Sequence, residues 1–357
     1  EPELRAEVER IGKERGWQVQ TKSNFLDGYG HAILRSGTGD RQRALWLRYG
    51  RALKHLHYDM LTFGLSALQR NLLPELGYPQ GWTYASVWEF SWGTHYGTHI
   101  TGVATNAFPR GRLTLFADSP PAQVAVAEAS TGPGKDDAWR QRTLVLVDLP
   151  GENCYAVTLE RVRGGQEHLH SFHGPDGEAT LFGLSPKPQG GGTVLGTDIA
   201  YGDVSKAGHD RELAILAYLP NPSRDRPAAP WGMDVALRNQ KDVRVRMTMM
   251  HPLDAEVALA EGRPPGGGSN AYRMPFAISK RMGDAPLRSQ FLMVIEPYEG
   301  ARVVERVEPM AVTPLGGAPA GEFAPLGVRI TTPEFVDTLI LQPDASGACR
   351  TADGLVC

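Results

Sequence analysis

The stretch His55-Leu56-His57-Tyr58-Asp59 carries the residue types with the most chemistry in this chain, and it is followed by Glu75 and by His99 in Gly97-Thr98-His99-Ile100-Thr101. If residues 55–59 run as a strand, alternation places His55, His57 and Asp59 on one face, with Leu56 and Tyr58 on the other. Two imidazoles and a carboxylate are a usual ligand set for Zn²⁺, and strands can bring such groups together from distant positions. The competing reading is a set of satisfied surface or core histidines, common in β-proteins. His168, His170 and His173 form a second cluster. No acidic partner is expected for them, and a structural role is expected there.

These groups must be positioned by strands. Only the first fifteen residues show helical spacing, with Leu4, Val8 and Ile11 recurring among charged residues and Gly12 and Gly16 marking the end. Short runs rich in β-branched or aromatic residues follow: 44–49, 112–116, 143–147, 154–159 and 213–218. Segments 243–249 and 328–331 alternate cleanly, which gives one buried and one wet face. Gly- and Pro-rich breaks separate them, at 132–134, 190–192 and 264–268. An all-β fold of stacked antiparallel sheets is expected.

At 357 residues the chain is long enough for one large β-domain or two smaller ones, and 41 glycines and 27 prolines suit many tight turns. A net charge of −3 gives no bulk attraction to polyanions, so an acidic ligand must be held by local clusters. Arg41, Arg43, Arg48, Arg51 and Lys54 crowd the approach to His55, and guanidinium forks pair well with carboxylate and sulfate. The pairs Arg161/Arg163 and Arg244/Arg246 alternate onto single faces; for the latter a solvated sheet face is expected. No nucleic-acid signature is present, and no apolar stretch is long enough to span a bilayer. Of three cysteines, Cys349 and Cys357 have a spacing that suits a disulfide, whereas Cys154 sits in a strand-like run and is expected as a buried thiol.

Several motifs, in order, resemble the C-terminal half of the heparinase II/III-like polysaccharide lyases. They are Ser23-Asn24-Phe25 through Gly28-Tyr29-Gly30-His31 to Gly37, Leu47-Arg48-Tyr49-Gly50, the H-x-H-x-D run, and Leu72-Leu73-Pro74-Glu75-Leu76-Gly77-Tyr78-Pro79. Val162-Arg163-Gly164-Gly165, His168 to Gly174, and Phe291 to Tyr298 continue the match. Glu75 stands where the family usually has Asp, and His99-Ile100-Thr101 where it has His-Asn-Thr. The resemblance implies a large multi-sheet antiparallel β-sandwich over 23–310, a helical remnant or linker over 1–22, and C-terminal strands and a tail over 311–357. It further implies β-elimination on an acidic, uronic-acid-containing polysaccharide. His55 takes the place of the catalytic histidine, and His57, Glu75 and His99 take those of the ligands to a structural zinc.

Tyr84 is the expected catalytic tyrosine, with Tyr96 and Tyr78 as competitors; Asp59 competes with Glu75 as ligand, and His95 with His99. Arg48, Arg51 and Trp82 are the expected substrate contacts, although Trp82, Trp88, Phe90 and Trp92 equally suit a core. The family places further catalytic groups on an α-helical toroid, which would be supplied from upstream of Glu1 as a domain or a separate chain. Glu1-Pro2 without an initiating Met is read as a processed end, with an export signal upstream and a secreted or periplasmic location. A homo-oligomer is compatible with the sequence. The alternatives are a non-catalytic carbohydrate-binding or structural sandwich, and a uronyl C5-epimerase.

Overall fold

The structure is a computed structural model that describes residues 2–15, 22–50, 57–77, 88–132, 137–263, 274–315, 322–343 and 348–356. A short helix, α1 (Pro2–Arg15), precedes the strands. Its Arg10 reaches Glu7 and Glu14, the i,i+3 and i,i+4 pairs that support an exposed helix. Among the described residues, all that follows is β-structure joined by turns and brief 3₁₀ segments, and every strand pairing is antiparallel.

The first sheet has five strands in chain order: β1 (Asn24–Leu26), β2 (His31–Ser36), β3 (Arg43–Arg48), β4 (Phe63–Ala67) and β5 (Arg70–Leu73). β6 (Gly97–Ile100) instead joins Glu167–His173 at the edge of a six-stranded sheet. An eight-stranded sheet is the largest, running from Gly177–Phe182 through Gln240–His251 and Asn153–Arg163 to Arg112–Ser119.

Alternation explains the layering. Leu34, Leu45 and Leu47 of the first sheet pack with Phe172, Val257 and Ala277 of the six-stranded sheet against Leu144, Leu146, Val245 and Met247 of the large one. The other face of the large sheet presents Val145, Val147, Val157 and Val294, covered by Val328 and Ile330 from a three-stranded sheet near the C-terminus. Arg306–Met310, on the near side of the boundary expected at 310, hydrogen-bonds to Leu326–Thr331 beyond it. On the outer side of the six-stranded sheet, Leu169, Phe276 and Ile278 are covered by Ile215, Leu216 and Leu219.

Segment 213–218 corrects one expectation. It is not a strand but part of the 3₁₀ run Arg211–Tyr218. Its apolar residues do not alternate, and the Asp210 side chain caps it by accepting from the Glu212 N–H. Cys154 is buried as expected; the pairing expected for Cys349 involves Cys357, which lies outside the described residues.

A charged network sits inside the sandwich. Glu160 is fully buried and accepts hydrogen bonds from Arg140, Arg142 and Thr98. Burial opposes its charge, yet the two guanidinium groups hold its carboxyl far below the usual carboxylate range. His170 Nδ1 lies 3.4 Å from the same carboxylate. The second histidine cluster therefore has an acidic partner after all, brought from the preceding strand, Asn153–Arg163. His168 is held by Ser289 and the Gly164 carbonyl, and His173 by Thr94 and Gly174, so the cluster's role is structural.

Candidate metal centre

Three loops converge at one end of the first sheet. Residues 57–62 lead into β4, Pro74 and Glu75 follow β5, and His95 ends the 3₁₀ turn Trp92–Thr94. Residues 57–59 are not a strand, so the alternation expected across 55–59 does not apply to them. The Arg48 N–H donates to the Thr62 carbonyl, the Leu61 N–H to the Arg48 carbonyl, and the Tyr58 N–H to the Phe90 carbonyl. Those bonds fix the first loop between β3 and the third loop.

His57, Glu75 and His95 each place one ligand-competent atom within 4.8 Å of the others. Glu75 Oε2 lies 2.5 Å from His95 Nδ1, and Glu75 Oε1 accepts from the Thr62 hydroxyl. The same hydroxyl accepts from the Tyr96 N–H, which ties the third loop to the first. Burial opposes charge on both members of the Glu75–His95 pair, but their attraction outweighs it. His95 is thereby held above the ordinary imidazole value and Glu75 below the ordinary carboxylate one. Burial and then His95 push His57 down to about 4, which leaves it neutral and competent to bind a metal.

The donor set tests well against a metal. Two imidazoles and a carboxylate suit Zn²⁺, and His95 Nε2 is buried without a hydrogen-bond partner, a state that buried polar atoms seldom occupy. Of the expected ligands, the structure thus brings together His57 and Glu75 and adds His95 in place of His99.

His99 is elsewhere, because strand pairing in β6 points its ring into a different layer. It stacks on Trp92 and sits between two carboxylates, with Nε2 2.7 Å from Asp210 and Nδ1 3.4 Å from Glu212. Burial opposes charge there too, but the two acids raise its pKa above the ordinary imidazole value. A raised folded pKa stabilises the fold fully below the unfolded value, and the contribution fades as pH rises through the folded one. Asp210→Asn should therefore cost about 1–3 kcal/mol at about pH 6 and clearly less at about pH 9, read from urea unfolding midpoints. An equal loss at both pH values would contradict a charged His99.

Asp59, the competing ligand, pairs with Arg48 at 2.8 Å instead. Arg48, an expected substrate contact, also lies over the Tyr29 ring. Tyr96 is buried, packed on Phe63 and His173, which removes it as a proton-transfer group. Trp88 and Trp92 fill the core. His55, Tyr84, Tyr78, Arg51 and Trp82 lie outside the described residues.

Sequence reasoning missed Arg142. Its fully buried guanidinium donates to the carbonyls of Leu61 and Tyr96, so one side chain gathers two of the metal-centre loops from below. The only local signal was its place immediately before the apolar run 143–147 of the strand Trp139–Leu149.

No family model matches the chain, and no curated protein matches it. Solved structures do. A crystal structure of heparinase III aligns with a TM-score of 0.58 at 14% identity, covering 92% of this chain and 43% of that one. A second heparinase III aligns at 0.59 and 14%, over 93% and 44%. Heparan sulfate lyase HepC from Pedobacter heparinus aligns at 0.59 and 13%, again over 93% and 44%. The chain spans less than half the length of these structures, and the likeness is one of fold.

Proposed function

We propose that this chain is the sandwich part of a polysaccharide lyase that cleaves an acidic, uronic-acid-containing polysaccharide by β-elimination. The carrying observation is the His57–Glu75–His95 cluster, built at one end of the first sheet of a heparinase III-like sandwich. Elimination must neutralise the uronate carboxylate, remove the C5 proton and protonate the leaving glycosidic oxygen. His55, two residues before His57, and Tyr84, between Glu75 and His95, are the proposed proton-transferring pair. Zn²⁺ held by His57, Glu75 and His95 would draw the three loops together as a structural ion. Neutral His57 and the Glu75–Thr62–Tyr96 chain orient that set, and Arg142 holds its backbone. An α-helical toroid, in the same protein or as a partner chain, would complete the cleft, and a secreted or periplasmic location suits a polymeric substrate.

The test is an elimination assay of the complete protein on heparan sulfate and alginate, following absorbance of the unsaturated uronic product. A rise in absorbance supports the lyase. Exchange of the C5 proton with solvent, without cleavage, would establish an epimerase instead, and neither signal would leave a binding or structural sandwich.

A further inference from the structure

The outer face of the first sheet carries aromatic rings between basic ends, and it begins at the candidate metal centre. Strand register puts His31 beside Arg48, Ile33 beside Trp46 and Arg35 beside Ala44, and then Trp46 beside Gly64 and Ala44 beside Ser66. All of these share one face, because they are spaced by two along each strand. Arg48 anchors the near end through its ion pair with Asp59, two residues from His57.

Next along the face comes an aromatic group. The His31 ring lies 5.5 Å from Trp46 and 6.2 Å from Tyr29, with Tyr29 exposed and Trp46 half-buried. Gly64 is what lets the indole lie down, since a Cβ there would come within 2.4 Å of the Trp46 ring. A flat, partly exposed ring on a rigid sheet offers an apolar platform of the kind a sugar face can pack on.

The far end is basic. A cavity of about 370 Å³ is lined by Arg35, Gln42, Ser66, Gln69, Arg70 and Asn71. Arg35 reaches Asn24 and the Lys22 carbonyl, and Arg70 reaches Gln240 and the Gln69 carbonyl. Neither has a carboxylate partner among the described residues, in contrast to Arg43 beside them, which pairs with Asp148. Along β3 the distance from Arg48 to Ala44 is four residues, roughly 13 Å.

We infer that this face is a binding track for an acidic saccharide chain, running from the metal centre over Trp46 to an anion subsite at Arg35 and Arg70. The inference rests on the polysaccharide reading and adds a location and a polarity to it. Charge complementarity selects the occupant: two guanidinium groups without carboxylate partners among the described residues suit carboxylate or sulfate groups, and the ring platform leading to them suits the sugar. A single sugar fills only part of the span, so affinity should grow with chain length.

The experiment measures binding of heparan sulfate- and alginate-derived oligosaccharides of graded length by titration calorimetry, with elimination assayed in parallel on the complete protein and dextran oligosaccharides as neutral controls. Affinity of the unaltered protein should rise with length for the acidic series only. Trp46→Ala should weaken the longer oligosaccharides roughly tenfold, the loss of one aromatic packing contact. The double variant Arg35→Ala/Arg70→Ala, at exposed or half-exposed positions, should weaken them too and flatten the dependence on salt. Both variants binding like the unaltered protein would overturn the track, and elimination continuing in that case would leave the lyase standing. Trp46-dependent binding without any elimination would support the track and sink the lyase. No length-dependent binding of either acidic series would overturn the track outright.

Discussion

Glu160→Ala is expected to destabilise the fold by about 3–5 kcal/mol, because it leaves Arg140 and Arg142 buried and without their shared carboxylate. Arg142 would keep its bonds to the Leu61 and Tyr96 carbonyls and to Thr158, but its charge would be uncompensated. Glu160→Gln retains the shape and removes the charge, and should cost most of the same amount. The sign of the pH dependence follows from the depressed carboxyl value. The contribution is present above the unfolded carboxylate pKa of about 4.3 and is lost as pH falls through the folded value. The difference between the unaltered protein and Glu160→Gln should hold steady from neutrality to about pH 5 and narrow in stronger acid. Denaturant midpoints across that range measure it, and a variant as stable as the parent would contradict the network.

His55→Ala and Tyr84→Phe, each in the complete protein, should lower elimination by about 10²–10⁴-fold, the usual contribution of a positioned general acid or base. Tyr96→Phe should leave the rate nearly unchanged. Its ring is buried between Phe63 and His173, and burial pushes its hydroxyl well above the ordinary tyrosine value, so it neither reaches a substrate nor ionises. Full activity in Tyr84→Phe would move the role to Tyr78, and full activity in His55→Ala would remove the elimination chemistry proposed for this loop. Circular dichroism of each variant separates these outcomes from misfolding.

Much of the fold was legible because alternation is a local property. Val243, Val245, Met247 and Met249 turn inward while Arg244 and Arg246 meet Asp234 on the other face, as period two requires. Segment 213–218 was misread because an unbroken apolar run of that length fits a buried strand or a helical turn equally well. At the candidate metal centre, His57 and Glu75 were expected from the family resemblance, and the structure brings their side chains together. His95 was not chosen, because His99 sits in the more family-like triplet. What separates them is the strand register of β6, which turns His99 toward Trp92 and Asp210. Long-range pairing of that kind leaves no local trace, and the Arg142 clamp on Leu61 and Tyr96 was hidden for the same reason.

Metal identity and ligands test the account most directly. Protein purified in the presence of zinc, without added chelator, should carry about one equivalent of zinc by elemental analysis. Ion binding at a hundredfold excess over its Kd would add about 2.7 kcal/mol of stability, lost on chelation. X-ray absorption at the zinc edge should report two imidazoles and a carboxylate. His57→Ala and His95→Ala should empty the site, while His99→Ala, which loses the Trp92 stack and the Asp210–Glu212 clamp but no candidate ligand, should remain loaded. Zinc lost from folded His99→Ala and retained in His95→Ala would contradict the centre proposed here.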